Sequence, residues 1–212
     1  MHRNPFIFIL CTFCILAFGS LYPSARIYAQ DMLPPACPQL LPGVTLIYEN
    51  IDPRLKDRLE LTVLDKWEGG ITWRYTYYDD NGHLDAEGLD TQTALDTCRS
   101  VASWMIPEGQ YDDSCDFFIS PTQLRELMSN GETYFRTMRS LEAPPVRLES
   151  PETILYTFTN QNETVRVEAV HAHTTRHETM VILKDPQCPL LLSSTDAHFR
   201  LSRIIAKNKI ND

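Results

Sequence analysis

Ile71-Thr-Trp-Arg-Tyr-Thr-Tyr-Tyr78 is the stretch whose reading decides the fold. It is built almost wholly of β-branched and aromatic residues, which suit a pleated, half-buried surface. Residues two apart on a strand share a face, so Trp73, Tyr75 and Tyr77 line one side. Gly69-Gly70 precedes the stretch as a turn, and Asp80-Asn81-Gly82 follows it. Asn-Gly tolerates positive φ at both central positions, so a hairpin is expected to turn there.

Working outward, further strands are expected over Val44–Glu49, over Leu59–Val63, where Leu59, Leu61 and Val63 alternate with Glu60 and Thr62, and over Glu132–Met138. Beyond the loop marked by Ala143-Pro-Pro145 and Ser150-Pro151, a meander is expected: 153–159, 164–172, 178–184, 190–192 and 198–205. Asn160-Gln-Asn162 and 174–176 supply its turns, and Asp185-Pro186 breaks its third strand. Two helices interrupt the pattern. One short helix is expected within 93–104. The clearer one follows Ser120, a cap, with Pro121 at its first position and Leu124, Leu127 and Met128 as its apolar side; Asn130-Gly131 stops it. The expected class is therefore mainly β (α+β): an antiparallel curved sheet, sandwich or open half-barrel wrapped on one or two short helices.

The N-terminus reads as an export signal. Arg3 precedes the uncharged run Phe6–Phe18, which Gly19, Ser20 and Pro23 break. The run is the length of a signal core and too short for a permanent membrane helix. Ile27-Tyr28-Ala29 offers a cleavage site after Ala29, with Ala25 as the alternative. The expected organisation is a signal over 1–29, an extended Pro-rich lead-in over 30–43, one β-rich domain over 44–206 and a frayed tail over 207–212. No second apolar run approaches spanning length, so no transmembrane span is expected in the mature chain. The 212 residues carry 19 Lys and Arg against 28 Asp and Glu, a net charge of −9, which repels phosphate backbones and argues against nucleic acid as a partner.

Of the six cysteines, Cys11 and Cys14 fall in the signal. Cys37, Cys98, Cys115 and Cys188 remain, an even number in an exported chain, and two disulfides are expected. Among the three possible pairings, Cys98–Cys115 with Cys37–Cys188 is preferred: the first closes a short loop, and both outer cysteines precede prolines.

Chemistry-bearing patterns are few. His171-Ala-His173-Thr-Thr-Arg-His177 is a candidate metal cluster, since imidazoles suit zinc or copper. Its spacing matches no metalloenzyme motif, and a polar strand end is the plainer account. Tyr78–Asp85 is acidic, but Gly82 as the loop glycine of a calcium site would put Tyr77 first and Gly88 last, which does not fit. No Gly-x-Ser-x-Gly, phosphate loop or dinucleotide fingerprint occurs, and no cofactor is called for. Asn162-Glu-Thr164 is a glycosylation sequon, meaningful only in a eukaryotic secretory pathway. Trp73, Tyr75, Tyr77, Phe118 and Tyr134, with Trp67, Phe117 and Phe135, are candidates to line an apolar site; ordinary core packing is the competing account.

Two stretches carry a family resemblance. Phe118-Ile-Ser-Pro-Thr-Gln-Leu-Arg-Glu-Leu-Met-Ser-Asn-Gly131 resembles the serine-capped helix, glycine and strand of uncharacterised bacterial envelope proteins. Val181-Ile-Leu-Lys-Asp-Pro-Gln-Cys-Pro-Leu-Leu-Leu192 with Phe199-Arg-Leu-Ser-Arg-Ile204 resembles their closing hairpin, although Cys188 inside the turn departs from the pattern. The resemblance implies a half-barrel on a helix, similar to periplasmic lipoprotein carriers, and no active site. The expectation is a periplasmic or secreted, non-enzymatic binding or envelope-assembly domain whose partner is a lipid or other apolar small molecule, or an envelope protein. The alternative is an exported hydrolase or metal-dependent enzyme using His171, His173 and His177.

Overall fold

A computed structural model of the chain describes residues 39–101, 114–137 and 145–206. The signal-like segment, Cys37 and most of the lead-in, residues 102–104 of the expected first helix, Met138, Ala143 and Pro144, and the 207–212 tail lie outside the described residues.

The fold is mainly β. Among the described residues, twelve strands and two short helices follow one another as β1 (Val44–Asn50), β2 (Arg58–Trp67), β3 (Gly70–Asp79), β4 (Gly82–Thr91), α1 (Gln92–Thr97), β5 (Ser100–Val101), β6 (Ser114–Cys115), α2 (Pro121–Asn130), β7 (Glu132–Thr137), β8 (Val146–Asn160), β9 (Glu163–Thr174), β10 (Thr179–Leu183), β11 (Leu191–Ser194) and β12 (Phe199–Ala206). They form one sheet in the order β4-β3-β2-β1-β12-β11-β10-β9-β8-β7-β5-β6. Strand β12 is shared. Its first residues, Phe199 and Arg200, pair with β11, while Arg203 and Ile204 lie parallel to Thr159 and Asn160 of β8. Strands β8 to β12 therefore curl back on themselves, which gives the sheet its curvature.

Two apolar clusters fill the two sides of this curl. One gathers β1, β2, β3 and β12 around Phe117 and Phe118; the other lies under α2 and includes Leu124, Leu127, Phe135 and Leu148. Strand β10 divides them: Val181 and Leu183 belong to the first, Met180 and Ile182 to the second. A strand buried on both faces needs a continuous apolar run, and Met180–Leu183 supplies it. Helix α2 begins and ends as its sequence demands. The Ser120 side chain accepts from the Gln123 backbone, the Gln123 side chain returns to Ser120, and Gly131 takes the left-handed conformation at φ 78°.

Three stretches differ from expectation. The hairpin turns at Asp80-Asn81 as expected, but its return strand, for which the sequence marks no span, runs ten residues, because β4 pairs without a bulge along all of β3 while facing solvent over its first half. The first helix is only Gln92–Thr97, closed by Cys98. Ser150-Pro151 interrupts no strand: β8 runs through it by a bulge between Glu149 and Glu152, with Ser150 at φ 55°. A bulge is where a strand tolerates proline, since the ladder asks for no donor there.

Candidate functional site

The expected aromatic row is present on β3. Opposed residues of an antiparallel pair share a face, so Trp73, Tyr75 and Tyr77 stand with Gly88, Ala86 and Leu84 of β4. The deep end is packed. Trp73 is fully buried against Phe118 at 6.1 Å between ring centroids, and Tyr75 lies 6.2 Å from Phe117. Toward the hairpin tip the row opens. Tyr77 is half-buried, edge-on to Phe199 at 6.3 Å, and Leu84 beside it is 64% exposed although it shares the core face. A hydrogen bond to Asp57 ties the Tyr77 hydroxyl to the neighbouring loop; burial first, then the charges of Asp57 and Asp79, push that phenol up.

Gly88 makes the deep end possible. A Cβ there would lie 2.8 Å from Tyr75 Cε2 and 2.9 Å from its hydroxyl oxygen, so the ring lies directly over the glycine. This placement lets the Tyr75 hydroxyl donate to the Asp116 carboxylate. Gly70 does the same for the strand end: it adopts φ 144°, and a Cβ would meet the Asp90 carbonyl oxygen at 2.2 Å. The Asp90 carboxylate accepts from Trp73 Nε1 at 3.0 Å and from the Asp116 backbone N–H at 3.2 Å. Burial pushes Asp90 up to about 6 against those two donors, and pushes Asp116 up to about 7. The Tyr75 hydroxyl bonded to Asp116 works in the opposite direction.

No family model, curated protein or solved structure matches this chain.

The cysteines meet the same corner. Thr91 caps α1 through its bond to the Ala94 N–H, and Cys98 closes the helix, its N–H donating to the Ala94 carbonyl. That places Cys98 in hydrogen-bond contact with Cys115, both buried thiols. The contact with Cys98, then burial, then Asp90 and Asp96 push the Cys115 thiol up. Cys188 is buried in the turn before β11 and near Tyr48, while Cys37, its expected partner, lies outside the described residues.

The remaining candidates separate. Trp73, Tyr75, Tyr77 and Phe118 share one cluster, but Tyr134 does not join them. Thr133 and Phe135 take the inward positions of β7, so Tyr134 faces out and is 47% exposed. Phe135 serves the cluster under α2, and Trp67 is largely exposed. His171 and His173 are neighbours on β9 with ring centroids 4.8 Å apart, opposite Glu152 and Glu149 of β8. His177 sits exposed in the following turn at φ 65°. Among the described residues, no group of three or more His, Cys, Asp or Glu is arranged to hold a metal ion.

Sequence reasoning missed Asp90, Asp116, Leu84 and Gly88. One signal was available: Asp116 stands in Ser114-Cys-Asp-Phe-Phe118, an acid embedded in a short apolar run.

Proposed function

We propose that this chain is an exported, non-enzymatic binding or envelope-assembly domain that accepts an apolar partner, a lipid or an apolar small molecule, at the open end of the β3–β4 aromatic row. The observation that carries the reading is Leu84, a core-face leucine 64% exposed beside half-buried Tyr77. A core-facing position ordinarily has something packed on it, and here the row stops short of covering itself. An apolar group laid over it that removes on the order of 200 Å² from water contributes about 5 kcal/mol before the costs of association. Export is supported by the signal-like Phe6–Phe18 run and by two thiols in contact within the core, an arrangement suited to an oxidising compartment. In that compartment Cys98 and Cys115 are bonded.

The test is a titration of the exported protein with a fluorescent fatty-acyl probe. Saturable binding is expected, weakened at least about tenfold by Leu84→Asp, since a charge at the contact must be desolvated. Binding unchanged in that variant, or none at all, would contradict the assignment.

A further inference from the structure

The deep end of the aromatic row holds two acids that have no counter-charge among the described residues. Asp90 is the last-but-one residue of β4 and is 2% exposed. Its two hydrogen-bond donors among the described residues, the Trp73 indole and the Asp116 backbone N–H, are both neutral. Asp116 is half-buried and accepts from the Tyr75 hydroxyl, so desolvation weighs most on Asp90. The titratable groups around them are Tyr75 from β3 and Asp96 from α1; Cys98 and Cys115, bonded to each other in the exported protein, carry no proton to lose. None is a cation, and no Lys, Arg or His among the described residues forms an ion pair with either acid. Ser114 next to Cys115 is also buried, its hydroxyl without a hydrogen-bond partner among the described residues. The corner is thus short of compensation for negative charge, although it is held together by the acids themselves. The Asp116 N–H to Asp90 bond joins the Asp116–Phe118 segment to the end of β4, and the Tyr75 bond joins it to β3.

We propose that Asp90 and Asp116 form a proton-operated latch, which holds the Asp116–Phe118 segment, just beyond the Cys98–Cys115 bond, against β3 and β4 when protonated and loosens it when ionised. Desolvation is the cause. A neutral carboxyl is cheap to bury, whereas an ionised one without a cation is not. Both acids are raised in the folded chain, to about 6 and about 7, above the 3.8 of an open chain. The closed corner therefore binds protons more tightly than the open one. Its stability is full below about pH 4 and declines as pH rises through the folded values. Between about pH 5 and about pH 8, Asp90 alone shifts the closed-to-open ratio roughly tenfold. Asp116 adds to this, less whatever its bond from Tyr75 offsets. Because Trp73 and Tyr75 belong both to the latch and to the aromatic row, proton binding is tied to the floor of that row. The latch stands on its own geometry and does not require the apolar partner.

The test is amide hydrogen exchange on the full exported chain from about pH 5 to about pH 8, with rates corrected for intrinsic pH dependence. Protection over 90–91 and 116–118 should fall at least about tenfold relative to β9 and β10. Asp90→Asn and Asp116→Asn should flatten that trend, whereas Glu87→Gln, exposed on the same strand, should preserve it. If either Asn variant fails to fold, carboxyl titration of the unaltered protein by carbon-13 NMR decides: two aspartates are expected to titrate near 6 to 7. A uniform loss of protection across the sheet, an unflattened trend in the Asn variants, or every aspartate titrating below about 4.5 would overturn the latch.

Discussion

Gly88→Ala is the sharpest structural perturbation of the site. The added methyl would sit 2.8 Å from Tyr75 Cε2, 2.9 Å from its hydroxyl oxygen and 3.2 Å from Cζ. The ring has little room to retreat. Tyr75 is buried, tilted onto Phe117 at 6.2 Å and bonded through its hydroxyl to Asp116. Overpacking of this kind costs about 1–3 kcal/mol. Swinging the hydroxyl away leaves both it and the Asp116 carboxyl short of a partner, which costs about 1–3 kcal/mol more. Replacing a strand glycine returns about 0.5–1 kcal/mol through the unfolded chain. The net expectation is destabilisation of about 2–4 kcal/mol, read as a lower urea midpoint at unchanged slope. Tyr75→Phe removes the hydroxyl and leaves the ring. In the double variant the Asp116 bond is lost only once, so the two effects should fall short of their sum by about 1 kcal/mol or more. A Gly88→Ala protein as stable as the original, or strictly additive effects, would refute the claim that the glycine seats Tyr75 on Asp116.

Other expectations are independent of this one. Ser120→Ala removes half of the capping box of α2 and should cost about 1 kcal/mol by thermal or urea unfolding. Peptide mapping of the exported protein should find Cys98 joined to Cys115 and Cys37 to Cys188; reducing the shorter loop should cost about 3 kcal/mol, and Cys37 joined to Cys98 would refute the pairing. N-terminal sequencing of the exported form should begin at Gln30, and an intact Met1 in the membrane fraction would sink export and release. Metal analysis should find no stoichiometric zinc or copper and a thermal midpoint indifferent to chelator. One tightly held ion per chain, lost in His173→Ala, would put the enzyme reading first.

What was legible in the sequence is what local chemistry controls. Ile71–Tyr78 forms a strand wherever it is placed, since its residues suit no other half-buried surface, and Ser120, Pro121 and Gly131 bound a helix through short-range bonds. The continuous apolar run before Asp185-Pro186 marked a strand, though not that it would divide two clusters. The rest depends on partners far along the chain. Strand β4 is polar and Gly-containing, and it is held by ten consecutive pairs with β3, so its own composition said turn. Pro151 said loop because a bulge cannot be seen without the opposing strand. Asp90 and Asp116 are 26 residues apart, and nothing local announces that the backbone of one feeds the carboxylate of the other. Tyr134 was misplaced because alternation on β7 could be read in either register until α2 claimed Phe135.

The proposed binding role rests on the core-face leucine left uncovered beside Tyr77, and native mass spectrometry of the protein purified from its own host tests it most directly. The account predicts a population carrying an apolar small molecule or lipid, released on denaturation and absent from Leu84→Asp prepared in the same way. Only the bare chain mass in both proteins, or the same adduct in both, would contradict it.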